Sequence, residues 1–225
     1  MKSFKTFLSE MANPKETIKC DINGVCRKIR VYESQGNQEK IRTRYLDSKG
    51  LPTVAHGHLI TPESVEIFKN VFPKQHAQNP SWGQEVLSGK RKMADDEIET
   101  LLIRDVTVRL PQIKKMIPDF ENLTEPLKAE IASEYFRGMI GKSPKAVKLI
   151  NDKNFVGAAT EYLDSDEYRD SLLPDSKIAG VATRYQNLEN ALKTEEARQK
   201  KLQQSSKSTT QAPPNNSKPR TGTSR

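Results

Sequence analysis

Hydrophobic positions along this chain recur mostly at helical spacing, with one short stretch that alternates instead. The segment 26–33, CRKIRVYE, fits a short helix with Ile29 and Tyr32 turned inward. Between Ile41 and His58 the pattern changes: IRTRY alternates apolar and polar residues, DSKG is a turn, and LPTVAHGH reads as extended and glycine-bearing. That combination predicts a β-hairpin. Thr61-Pro62-Glu63-Ser64 then predicts a helix start, with Thr61 as N-cap and Pro62 in the first turn, and Pro73 marks its end. Residues 73–92 are polar and carry the single tryptophan, Trp82. From Asp95 to Met116 the residues Ile98, Leu101, Leu102, Val106, Leu110 and Ile113 form an apolar stripe, interrupted by one carboxylate, Asp105. Pro111 is expected to kink or break that helix. Further helical patterns run over 126–139, 144–150, 155–163 and 178–202. A small hairpin followed by many helices predicts an α+β fold.

Charge divides the 225 residues into three zones. Residues 1–30 carry a net +4, residues 31–192 a net −2, and residues 193–225 a net +6. The basic character therefore belongs to the ends. From Gln203 onward the sequence lacks apolar periodicity and aromatic residues and contains three prolines. Such a segment cannot repay the entropy of ordering, so disorder is expected over 203–225. The domain reading is an N-terminal targeting or flexible segment (1–24), one folded domain (25–192) and a basic helix end with a disordered tail (193–225). Basic ends attract polyanions, nucleic acid or cell-wall polymers alike. No stretch approaches 18 consecutive apolar residues, and the start MKSFKTFLSEMA lacks a secretory apolar run. Cys20 and Cys26 are too few for a disulfide scaffold and fit no metal spacing, which predicts two free thiols in a reducing cytosol.

Glu33 closes the first helix and Asp47 sits in the hairpin turn, with Thr53 and His58 on the return strand. Two carboxylates on different elements around a cleft suit glycosidic cleavage. One gives a proton to the leaving oxygen, and the other activates water or attacks the sugar. With 29 acidic residues in the chain, that pairing alone is a weak signal.

The string from Tyr45 to Leu59, YLDSKGLPTVAHGHL, adds specificity. It resembles the Y-x-D-x-x-G-x-x-T-I-G-x-G-H-L signature of T-even phage lysozymes, with Tyr45, Asp47, Gly50, Thr53, Gly57, His58 and Leu59 in register. MADDEIETLLIRDV (93–106) is similar to a second helix of that family, and NFVGAA (154–159), Glu167-Tyr168-Arg169 and Val181–Arg184 resemble its late helices. The resemblance spans about 25–192. It implies a lysozyme-like fold, a small β lobe beside a mostly helical one. It also implies hydrolysis of the β-1,4 bond between N-acetylmuramic acid and N-acetylglucosamine in peptidoglycan, by inversion, in a monomer without metal or cofactor.

Residue by residue, the resemblance implies that Asp47 deprotonates the attacking water and Thr53 holds it. It implies that Glu33 is the general acid and that Leu59 and Phe136 line the substrate cleft. His58 would pair with Asp105 and tie the hairpin to the helical lobe. Glu33 lies further before Asp47 than in the family, so the insertion GNQEK (36–40) must bulge from the first strand, or Glu39 is the acid. Ala55 stands where the signature has glycine.

MKSFKTFLSE is similar to the capsid-targeting peptides of T-even-like phage internal proteins, which a prohead protease cuts after a Leu-x-Glu motif, here Leu8-Ser9-Glu10. That likeness implies packing inside the virion, with the basic ends against DNA phosphates. The other location is the host cytoplasm, with access to the periplasmic wall during infection. A second class of function is a virion structural protein that reuses a degenerate lysozyme fold.

Overall fold

The structure is a computed structural model that describes residues 24–34, 38–47, 49–176 and 178–209. The segment MKSFKTFLSE, its Leu8-Ser9-Glu10 motif and Cys20 lie outside the described residues. The described chain is mostly helical with one small antiparallel sheet, an α+β arrangement.

Helix α1 (Val25–Ser34) buries Val25, Cys26 and Ile29. Cys26 is disulfide-bonded, which corrects the expectation of two free thiols. A short helix α2 (Gln38–Ile41) follows. The sheet is β1 (Tyr45–Leu46), β2 (Pro52–Val54) and β3 (His58–Leu59), in the order β1-β2-β3. Tyr45 pairs with Thr53, Thr53 with Leu59, and Val54 with His58. The hairpin is thus shorter than the alternation of IRTRY predicts, and it gains a third strand. Ile41 ends a helical turn rather than opening a strand, because its side chain is fully buried in the small-lobe core.

Helix α3 (Ser64–Val71) begins two residues later than expected, with Glu63 rather than Thr61 at the N-cap position. Ser64, not Thr61, supplies the side chain at this start: its Oγ accepts a hydrogen bond from the Thr61 N–H at 2.9 Å. Pro73 opens α4 (Pro73–Gln78) as well as following α3, as suits a residue with a preset φ and no N–H to lose in a first turn. Helix α5 (Trp82–Leu87) buries Trp82, whose ring packs against Phe72 and Phe68 at centroid distances of 4.8 and 5.7 Å.

Helix α6 runs from Asp95 to Met116. Asp95, Asp96 and Glu97 in its first turn and Lys114 and Lys115 in its last complement the helix dipole. It runs through both cores. Ile98 and Leu101 pack in the small one with Val54, Phe68 and Trp82, while Leu102, Val106 and Ile113 pack in the large one. Pro111 does not end it. A mid-helix proline costs roughly 3 kcal/mol. Continuing the helix buries Ile113 and then Ile117 in the large core, which offsets that cost.

In the helical lobe, α7 (Glu125–Phe136) is central, and every residue from Leu127 to Glu134 is buried. Around it stand α8 (Pro144–Asn151), α9 (Phe155–Leu163), α10 (Asp166–Ser171) and α11 (Ala179–Thr209). Asn154 caps α9 and Ser165 caps α10 through side-chain oxygens. Helix α11 continues through Thr209, so residues 203–209 are helical rather than disordered. Extending a formed helix gains one hydrogen bond per residue fixed, and Lys and Gln are adequate helix formers.

Candidate functional site

A cleft of about 860 Å³ lies between the sheet and the helical lobe. Glu33, Asp47, Thr53, Leu59 and Phe136 all line it. Glu39 does not. Its side chain is 69% exposed and pairs with Lys92 and Arg42.

Glu33 is brought to the cleft by the last turn of α1, and its side chain is 22% exposed. Arg184 of α11 donates from Nη2 to Glu33 Oε1 at 3.0 Å. The Arg184 guanidinium also sits over the Tyr32 ring, 4.5 Å from its centroid. Around the other carboxyl oxygen the chain is tightly drawn: a Cβ at Gly57 would lie 3.2 Å from Glu33 Oε2 and 3.0 Å from Phe136 Cε1. Gly57 has φ +81°, and Ala55 two residues earlier has φ +52°. The turn between β2 and β3 is therefore left-handed at both positions. Ala55 tolerates it at a cost of roughly 1–2 kcal/mol, while its methyl is buried in the small core.

Asp47 follows β1. Its Oδ1 accepts the backbone N–H groups of Lys49 and Leu51, each at 2.8 Å. These bonds fix the carboxylate on its own turn and leave Oδ2 without a partner among the described residues. Thr53 lies on β2, buried, and its hydroxyl donates to the Leu51 carbonyl at 3.1 Å, leaving its lone pairs available. Tyr45 donates to the Ala55 carbonyl at 3.1 Å. Burial first, then the Glu33 charge and more weakly that of Asp47, push its hydroxyl pKa far above the usual range. The tyrosine thus feels both carboxylates.

His58 and Asp105 meet as the sequence predicts. His58 Nδ1 lies 2.7 Å from Asp105 Oδ2, and both side chains are buried. Burial alone would raise the Asp105 carboxyl, but His58, then Arg109 and Arg104, outweigh it and hold it below the usual carboxylate range. Arg104 takes Asp105 Oδ1 at 2.6 Å.

The sequence reading gave no role to the cations of the cleft. Lys40, Lys49, Arg109, Arg137 and Arg184 line the cleft, against the carboxylates of Glu33 and Asp47. Arg137, directly after Phe136, binds Glu134 and Glu167 at 2.8 Å each. Burial works against its charge, but Glu134 and then Glu167 outweigh that and raise its pKa. Arg109 sits four residues after Asp105, one helical turn on, so its presence on that face was readable from spacing. Arg184 had no such local signal, because its partner is 151 residues away.

Among the described residues no group of three or more His, Cys, Asp or Glu is placed to hold a metal ion, and no helix is long and apolar enough to cross a membrane. No protein-family model matches the chain, and no curated protein matches it significantly in sequence.

Proposed function

We propose that the protein is a phage muramidase with a lysozyme-like fold, an inverting glycoside hydrolase acting on the β-1,4 bond between N-acetylmuramic acid and N-acetylglucosamine. The observation that carries this reading is the convergence of Glu33, Asp47 and Thr53 in one cleft from three separate elements. Glu33 gives its proton to the leaving glycosidic oxygen. A water donates one hydrogen bond to Asp47 Oδ2 and another to Thr53 Oγ1, and attacks the anomeric carbon from the opposite face as Asp47 takes its proton. The glycosidic C–O bond breaks, a new C–O bond forms with inverted configuration, and the proton count balances across the two carboxyl groups. Inversion requires the two carboxyl groups roughly 6.5–9.5 Å apart, so that one water fits. No metal or cofactor enters this scheme.

The test is turbidity loss of chloroform-treated Gram-negative cells. The wild-type protein lyses them. Glu33→Gln and Asp47→Asn each lower the rate by about 10²-fold or more, the scale of lost acid or base catalysis. Glu39→Gln keeps the wild-type rate. A wild-type protein without lytic activity on such cells turns the reading to the structural one, a virion component that reuses the fold.

The location proposed with this function is the virion interior, reached through cleavage after Glu10 by a prohead protease, with the basic ends against packaged DNA. Its support is the likeness of MKSFKTFLSE to capsid-targeting peptides. Mass spectrometry of purified particles should find Met11 as the N-terminus. An intact Met1, or absence of the protein from particles, removes the packaging proposal and leaves the muramidase reading standing.

A further inference from the structure

The cations of the cleft are not equivalent. Arg184 has Glu33 as its counter-ion, and Arg137 has Glu134 and Glu167. Arg109 differs. Its ion-pair partner among the described residues is Asp105, whose two oxygens are already engaged by His58 at 2.7 Å and Arg104 at 2.6 Å. Arg109 Nη1 stands 3.7 Å from Asp105 Oδ1, and its hydrogen bond goes to the Asp105 backbone carbonyl at 3.1 Å. Its Nε and Nη2 have no hydrogen-bond partner among the described residues.

The same guanidinium is held in place. Its Cζ lies 4.3 Å from the centroid of the Phe136 ring, a cation–π geometry. The side chain is 29% exposed and faces the cleft. A planar fork of donors, oriented on one side by a backbone carbonyl and below by an aromatic ring, is arranged to bind a carboxylate. Phe136 in turn reaches the Gly57 turn beside Glu33. Arg109 is therefore one ring removed from the proton donor, within reach of a sugar next to the scissile bond.

We propose that Arg109 is a specificity-determining residue that binds a carboxylate carried by the glycan. It thereby selects strands with acidic muramoyl substituents over neutral N-acetylglucosamine polymers. This deepens the muramidase reading and rests on it. The carboxylate has two sources in peptidoglycan: the free carboxylates of the peptide stem, and, on muramoyl units without a stem, the lactyl carboxylate that the stem's amide bond otherwise consumes.

Initial rates of wild type, Arg109→Gln and Arg109→Lys are compared on three preparations: intact sacculi, sacculi stripped of peptides by an amidase, and sacculi whose carboxylates have been amidated with carbodiimide. Arg109→Gln is expected to raise KM about 10-fold or more on intact sacculi with kcat within about twofold, the scale of one charge-assisted hydrogen bond. Arg109→Lys recovers part of that loss, and on amidated sacculi the variants and wild type converge. An Arg109→Gln loss on intact sacculi that disappears on stripped ones assigns the stem carboxylates, and one that persists there, where the amidase has freed the lactyl carboxylate, shows that Arg109 takes either carboxylate. An unchanged KM on intact sacculi, or an equal loss on intact and amidated ones, overturns the proposal and leaves Arg109 as a staple on Phe136. Where the wild type hydrolyses none of the preparations, the muramidase reading fails by itself. Co-sedimentation with intact and amidated sacculi then decides the role of Arg109. Weaker binding by Arg109→Gln to intact sacculi alone supports it, and equal binding overturns it.

Discussion

Gly57 is so close to Glu33 that a methyl group at Gly57 would sit 3.2 Å from the carboxyl oxygen Oε2, wedged at the same time 3.0 Å from Phe136. Its φ of +81° is also one that L side chains rarely adopt. Gly57→Ala therefore meets two penalties, backbone strain of about 1–2 kcal/mol and displacement of either the acid or the cleft aromatic. The expected result is a lowered melting temperature together with a lytic rate reduced at least about 10-fold. A variant that keeps full activity would show that the Glu33 carboxyl need not hold its observed position.

Arg184 orients Glu33 from the other side. It is nearly buried, and its Nη1 has no hydrogen-bond partner among the described residues. Arg184→Gln removes the 3.0 Å bond to Glu33 and the contact with Tyr32. Misplacement of a reacting group by about 1 Å costs on the order of 10²-fold in rate. The expected signature is a fall in kcat of about 10–100-fold with little change in KM. A rise in KM at constant kcat would instead make Arg184 a substrate ligand.

Asp105→Asn tests the tie between sheet and α6. Removing one partner of a buried ion pair costs about 3–5 kcal/mol, and here Arg104 loses its carboxylate while His58 Nδ1 loses its hydrogen-bond partner. The Asp105 carboxyl is held below its ordinary value, so its stabilisation is fully present above about pH 4 and is lost only as pH falls through the still lower folded value. Thermal melts at pH 7 should show the full deficit in Asp105→Asn. The gap from wild type should close only in strong acid. Equal melting temperatures at pH 7 would mean that the pair contributes nothing to the fold.

The site was more legible in the sequence than the scaffold that holds it. The 15 residues from Tyr45 to Leu59 placed Asp47 and Thr53, because a turn carboxylate and a return strand are local features, while His58, read on that same strand, lies on β3 after a second reversal. The Asp105 that faces His58 was readable as one charge in an apolar stripe, since a buried carboxylate needs a partner. Helix α6 was legible from Asp95 to Met116 through its apolar stripe, Ile98 to Ile113, and the structure gives it those bounds. What failed was whatever depended on distant packing. Pro111 predicted a kink or a break, and the burial of Ile113 and Ile117 overrides the break. Ile41 looked like a strand residue and closes a helical turn, because the small core receives its side chain there. One failure had a different source: Cys26 read as a free thiol from cysteine number and spacing, and it is disulfide-bonded. Arg184 reaches Glu33 from the far end of the chain, and no periodicity announces a contact of that span.

His56 lies between Ala55 and Gly57 in the left-handed turn, and its ring Nδ1 is buried without a hydrogen-bond partner among the described residues. Burial lowers its pKa to about 4. The nearby Glu99 opposes that shift, and Arg30, which binds Glu99, adds to it. The folded protein thus holds a neutral imidazole where the unfolded chain would carry a proton between about pH 6.5 and 4. Stability from this group is complete above pH 6.5 and fades as pH falls through that window, by on the order of 2–3 kcal/mol. This loss begins at milder acidity than that of Asp105, so the turn beside Glu33 should be the first element that acid weakens. Urea unfolding midpoints of wild type and His56→Leu, measured at pH 7, 5.5 and 4.5 (the probe values ~1 unit apart resolve a titration of this width), separate the two contributions. The wild type should lose stability across the series while His56→Leu stays nearly level. Parallel decline of both proteins would place the acid sensitivity elsewhere in the molecule.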